Sequence, residues 1–169
     1  MSIPRWAATI LALFAWLVAI PLAHGVMPWA TSLLAPRYGW TGNRPGVGNL
    51  LGLIPVVGGT AGLLWIMVVG LARTAELPDR VVLDWTPKIL LMRGPYAFTR
   101  NPMYLAELGI WLGWVLFYGS VPVLIGFVGF CAAVRLVVRR EERDMEAQFG
   151  EVYLQYQSRV PRWLEVTRR

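Results

Sequence analysis

The chain has 169 residues, 56% of them hydrophobic and 15% charged, against roughly 25% charged in soluble domains. The net charge of +6 is explained by the topology of a membrane protein, so nucleic-acid binding is set aside. One cysteine excludes an internal disulfide, and Cys131, inside an apolar run, reads as a packed small side chain. No zinc-ligand cluster, P-loop or dinucleotide fingerprint occurs, and no metal is expected.

Taken in chain order, Trp6 to Ala23 carries no charge, Leu50 to Leu71 carries none, and Pro102 to Val134 carries only Glu107. Apolar runs of about 18 residues or more read as transmembrane helices. The first run resembles a signal peptide, but Pro21-Leu22-Ala23 is a poor cleavage site and an uncleaved helix is expected. His24 to Pro36 is apolar but broken by Gly25, Pro28 and Pro36, and either prolongs the first helix, lies at the interface or re-enters. In the second run, Gly58 and Gly62 have the spacing that lets helices approach closely. The last run is too long for one span, since 33 residues of helix would extend about 50 Å across a core of about 30 Å. Tyr118-Gly119-Ser120-Val121-Pro122 offers a break, because proline suits the first turn of a new helix.

The expected fold is an all-α integral membrane protein forming a single domain over 1–169. Its four spans lie at about 6–24, 49–73, 102–118 and 121–138, with a loop at 76–101 and a helical tail at 139–169. Four spans put both termini on one side, which then holds fourteen Lys/Arg, leaving only Arg37 and Arg44 opposite. The positive-inside rule makes the first side cytoplasmic, in a bacterial or archaeal plasma membrane. The single histidine, His24, then falls near the far side and is left out of the catalytic set.

The segment "RGPYAFTRNPMYLAE" opens the third span. Gly94-Pro95 signals a turn, Asn101 is a favoured N-cap and Pro102 a favoured first helical residue. A bland reading stops at a capped helix with interfacial tyrosines. Against it, a helix N-terminus can hold a carboxylate or phosphate. Glu107 also shares a face with Tyr104 and Trp111, and a carboxylate at membrane depth is functional by default. The end of the last span crowds Arg135, Arg139, Arg140, Glu141, Glu142, Arg143, Asp144 and Glu146 together. Arg139/Glu142 and Arg140/Asp144 have helical ion-pair spacing. The short hairpin brings this charged end beside Asn101-Pro102.

"GPYAFTRNPMYLAE", a helical hairpin and "EERDMEAQFGEVYLQYQSRVPRW" together resemble the isoprenylcysteine carboxyl methyltransferases and the related phospholipid methyltransferases. The resemblance covers about residues 85–163, and the first half matches only as hydrophobic helices. It implies S-adenosylmethionine as methyl donor. The implied cofactor contacts are a strand-like approach at Lys88, Ile89, Leu90 and Leu91, then Tyr96, Asn101, Pro102, Met103 and Tyr104, and finally Glu141 with Glu142 beside it. Two departures stand out. Asn101 replaces the family's histidine before proline, keeping hydrogen bonding but not titration near neutrality. The family's substrate arginine aligns near Val137, where only the neighbours Arg135 and Arg139 can substitute.

On this reading Glu107 is the base or substrate-orienting group, with Arg100 and Asn101 beside it, and Arg100 or a tyrosine its alternative structural partner. Arg135, Arg139 and Trp111 are the candidate substrate contacts. The expected activity is methyl transfer to a lipophilic acceptor entering from the bilayer: a prenylcysteine-like carboxylate, a phospholipid or another small lipid. A rival is an NADPH-dependent membrane reductase of the sterol type, which shares an Arg-His-Pro motif and a Gly-Glu that "YLAE" resembles. A second rival is a non-catalytic membrane binding or scaffold protein, with Asn101 as its symptom.

Overall fold

A computed structural model of the chain describes residues 2–82 and 89–164. A short strand β1 (Ser2–Pro4) leads into a long helical run α1 (Arg5–Ser32). A small ladder of β2 (Trp40–Thr41) and β3 (Arg44–Pro45) precedes α2 (Val47–Ala72). Strand β4 (Arg80–Val82) pairs antiparallel with β1. Then come α3 (Pro102–Tyr118), α4 (Val121–Phe149) and α5 (Glu151–Arg159). The expected all-α fold thus acquires two minimal strand pairs, one of which ties the N-terminus to the chain after α2.

Three helical runs, α1, α2 and α4, are long and apolar enough to cross a membrane. The other expected span forms the helix α3 of 17 residues, about 26 Å long. The residues from His24 to Ser32 prolong α1 instead of lying at the interface or re-entering. They do so through two π-helical turns, Ala15–Ala19 and Leu22–Val26. Pro21 accounts for the irregularity, since it donates no N–H and its ring crowds the carbonyl of Leu17, four residues back.

The α3–α4 hairpin turns where the sequence placed it. Gly119 caps α3 in the left-handed conformation, with φ +54°, and Pro122 sits in the first turn of α4. The carbonyls at the end of α3 find partners outside the helix. Asn49 Nδ2 donates to Leu116 and Phe117 at 3.2 and 3.0 Å, and the Trp40 indole donates to Phe117 at 2.9 Å.

The closest helix pair is α2 with α3, and glycines set its distance. A Cβ on Gly113 would stand 2.5 Å from Val56 Cγ2, and one on Gly59 would stand 2.5 Å from the Ala106 carbonyl. Gly52 faces Gly113 and Phe117 in the same way. The sequence pointed to Gly58 and Gly62, but a Cβ on Gly58 meets nothing within 4 Å and one on Gly62 makes ordinary contact with Ala106. Close approach therefore runs along Gly52 and Gly59, seven residues apart on one face.

This contact supports an apolar centre. Leu63 and Ile66 of α2 pack on Ile110 of α3, with Trp16 and Ile20 of α1 against them. Trp111 and Tyr118 of α3 pack on Val123 of α4, with Phe130 beside them. The outer faces stay apolar: Phe14 and Leu17, Ile54 and Val57, and Ile125 and Val128 are all exposed, as a lipid-facing surface requires.

Gly113→Ala should cost about 1–3 kcal/mol by overpacking. Gly58→Ala should be neutral or stabilise by up to about 1 kcal/mol through reduced unfolded-state entropy. Unfolding of both variants in one detergent measures the difference.

Candidate functional site

Antiparallel packing sets the start of α3 beside the charged end of α4, and the segment after α5 closes over both. The Arg100 N–H donates to the Pro161 carbonyl at 2.9 Å, and the Thr99 hydroxyl donates to the Arg162 carbonyl at 2.8 Å. Gly150 makes this return possible. Its φ of +53° with ψ −129° is open to glycine rather than to other residues, and it redirects the chain from α4 into α5.

Glu142 is the hub. Its buried carboxylate accepts from Arg162 Nε at 3.0 Å and from Arg162 Nη2 at 2.5 Å. Arg100 Nη1 lies 3.2 Å away, and Asn101 Nδ2 donates to it at 3.3 Å. The helical spacing with Arg139 is not used. Arg140 does reach Asp144, at 4.0 Å. Hydrogen bonding to Glu142 raises the Arg162 guanidinium above its ordinary value, so it stays charged.

Asn101 occupies the N-cap position, but its side chain makes no capping bond. The Glu142 carboxylate and the Arg162 carbonyl, 3.2 Å from Nδ2, compete for the amide and win. The first helical bond runs from the Leu105 N–H to the Asn101 carbonyl at 3.1 Å. The N–H groups of Met103 and Tyr104 precede it and are left without a helical partner.

Met103 and Tyr104 border a cavity of about 150 Å³. Ile89, Leu90, Leu91, Tyr96, Asn101, Pro102, Met103, Tyr104, Glu141 and Glu142 line it, and Arg100 joins them. The structure thus brings together all of the expected cofactor contacts except Lys88, which lies outside the described residues. Ile89 to Leu91 run as irregular chain, not as a paired strand. The Tyr104 hydroxyl donates to Glu141 at 2.7 Å across the cavity. Met145, Tyr153 and Tyr156 also line it and were not singled out from sequence. Both tyrosines lie in the quoted "FGEVYLQY", which was the available signal. The Tyr156 hydroxyl donates to the Tyr96 carbonyl at 2.7 Å. Burial pushes the Tyr96 phenol up to about 12, helped by the charge of Glu141; burial also raises Tyr153 and Tyr156. All three stay neutral donors at physiological pH.

The remaining expected site residues lie elsewhere. Glu107 is buried, and its ion-pair partner among the described residues is His24, with Nε2 3.6 Å from Oε1. Arg100 is committed to Glu142. The placement of His24 corrects the expectation that it lies at the far side: α1 continues to Ser32, so His24 sits inside the bundle. Trp111 packs against Phe130, with ring centroids 5.8 Å apart, and lines neither the cavity at the start of α3 nor the apolar one beside His24. Arg135 and Arg139 are exposed along a separate recess on α4, beside Cys131 and Trp163.

A helical bundle with three runs long and apolar enough to cross a membrane and a polar pocket at one helix end defines the class, that of a membrane protein. A sequence model of the phospholipid methyltransferase family matches residues 49–152. The chain belongs to that family, whose members are membrane methyltransferases. A protein of Haemophilus influenzae, described only as uncharacterized, is 36% identical over 63 residues, 37% of this chain and the whole of that protein. No solved structure matches the chain. The family match stops short of Tyr153, Tyr156 and Arg162, so the tail that closes the pocket lies beyond it.

Glu142→Ala should cost about 3–5 kcal/mol, because it leaves Arg100 buried without its partner. The segment after α5 should also become a site of protease cleavage. Glu141→Ala, which loses only the bond from Tyr104, should cost about 1 kcal/mol. Thermal unfolding with limited proteolysis separates the two.

Proposed function

We propose that the chain is an S-adenosylmethionine-dependent methyltransferase acting on a lipophilic acceptor. The observation that carries this reading is the pairing of an acidic, tyrosine-lined wall with an uncapped helix N-terminus in one cavity. The donor has a sulfonium, an ammonium and a carboxylate. The cavity offers complementary groups to each: Glu141 for a cation, phenol rings for the sulfonium, and the N–H groups of Met103 and Tyr104 for the carboxylate. At about 150 Å³ the cavity is smaller than the usual ligand pocket of about 300–1,000 Å³. The Tyr104–Glu141 bond draws its walls together, and a cation competing for Glu141 would let them part.

When bound, such a donor supplies an electrophilic methyl group. The protein's part is to position it and exclude water. Glu142, Arg100, Asn101 and Arg162 hold the walls, while Glu141 remains the acidic group available to a ligand. Four crossings, with α3 as the fourth and both termini cytoplasmic, accord with the packing. The β1–β4 pair, the start of α3 and the tail gather at one end, and Arg37 and Arg44 belong to the other. The donor then arrives from the cytoplasm and the acceptor from the bilayer.

Calorimetry in detergent tests the assignment. Wild type should bind S-adenosylmethionine, and Glu141→Ala should weaken binding about tenfold or more while remaining folded. Undiminished binding by the variant, or preference for NADPH, would overturn the reading.

A further inference from the structure

The His24–Glu107 pair lines no part of the first pocket, yet His24 lines a second cavity. This cavity, about 340 Å³, opens among α1, α2 and α3. Its walls are apolar, with Leu17, Ile20, Leu63, Leu64 and Met67 among them, and His24 supplies an imidazole. The volume falls within the range of small-molecule sites. Glu107 sits one turn beyond Tyr104 on α3, and Tyr104 lines the first cavity.

The imidazole is oriented. Nε2 faces Glu107 at 3.6 Å, the ring rests 5.6 Å from that of Phe130, and the Trp114 indole donates to the His24 carbonyl at 2.5 Å. His24 Nδ1 is buried and has no partner among the described residues. The histidine also lies in the π turn Leu22–Val26, a distortion that recurs at functional sites. An ionisable pair at this depth is costly unless it serves a ligand path or a proton.

We propose that His24 and Glu107 form the proton-accepting pair of the acceptor site, receiving the ammonium head of an apolar amine whose chain fills the cavity. The proposal rests on the methyl-transfer reading above. With Nε2 turned toward Glu107, Nδ1, unpartnered among the described residues, is the nitrogen assigned to accept. An N–H bond of the ammonium breaks, and its electron pair stays on the amine nitrogen. The proton joins Nδ1, and the imidazolium so formed faces the Glu107 carboxylate. Apolar walls help, because burial disfavours a charged ammonium. A carboxylate acceptor would meet Glu107 as a like charge and needs no base. On α3 the titratable neighbour one turn from Glu107 is Tyr104, whose hydroxyl is bonded to Glu141 of α4; Thr60 of α2, in the cavity wall, donates to the Val56 carbonyl.

The chain has one histidine, so [15N]histidine labelling of the full chain in micelles gives a single imidazole. Titration with dodecylamine should shift its resonances saturably, more at Nδ1 than at Nε2, and laurate should not. Glu107→Gln should weaken the amine response about tenfold. A silent imidazole, an equal response to laurate, or an unchanged response in the variant would overturn the proposal; a pair that merely ties α1 to α3 gives the first result. In turnover, His24→Gln should lower kcat for dodecylamine by about 10²-fold or more, the usual worth of a general base. Its affinity for S-adenosylmethionine should stay within about twofold, and loss of that affinity would make the histidine a support of the donor pocket and overturn the proposal. An imidazole that responds to amine in a protein that does not bind S-adenosylmethionine would sink the methyltransferase reading while leaving the amine site in place.

Discussion

The buried carboxylate of Glu142 is the constraint on which the pocket end depends. It stands on the extension of α4 beyond the apolar run, where an unpaired charge would be expensive to bury. Two guanidiniums and one amide meet that cost, and they come from two different stretches of chain. Arg100 and Asn101 bring the start of α3, and Arg162 brings the segment after α5. The geometry of the cavity follows from this convergence. With the Asn101 amide drawn toward Glu142, the helix start goes uncapped, and its free N–H groups become part of the pocket wall.

Adjacent acidic residues thereby take unlike surroundings. Glu142 faces cations on the closed side, while Glu141 faces Tyr104 across the cavity. A helix turns about 100° per residue, so neighbours on α4 necessarily look in different directions. That rotation makes one glutamate a structural hub and turns the other toward Tyr104 at the cavity. It also explains how asparagine can stand where relatives are expected to carry histidine. The position is asked to donate hydrogen bonds to a carboxylate and a carbonyl, which an amide does without titrating.

Much of this was legible in the residues. The hairpin at Gly119-Ser120 followed from a proline two residues on, and the helix bounds at Pro102 and Tyr118 followed from the same punctuation. The pocket lining was readable because "RNPMY" and "EE" carry dense local chemistry. What escaped were the partnerships. Arg139 stands at helical spacing from Glu142, yet Arg162, twenty residues away, wins the carboxylate, because its planar fork reaches both oxygens. Gly58 and Gly62 have the familiar spacing, yet the contact falls on Gly52 and Gly59. Spacing fixes which residues share a face, but not which face meets the neighbour. The reach of α1 was hidden by Gly25 and Pro28, which usually break a helix; π turns absorbed the disruption.

The extra length of α1 has the largest consequence. Had the helix ended near Ala23, His24 would lie in a loop and Glu107 would be a lone carboxylate at membrane depth. By continuing to Ser32, α1 carries an imidazole into the bundle opposite that carboxylate. The apolar cavity then has an imidazole in its wall. The chain thus holds two cavities of opposite character, one with carboxylate and phenol walls and one with mainly aliphatic walls. An enzyme joining a polar methyl donor to an apolar acceptor needs such a pair, since neither substrate is comfortable in the other's solvent. The family match covers residues 49–152, which include Tyr104, Glu141 and Glu142 of the first cavity, whereas His24 comes from the first helix, outside it.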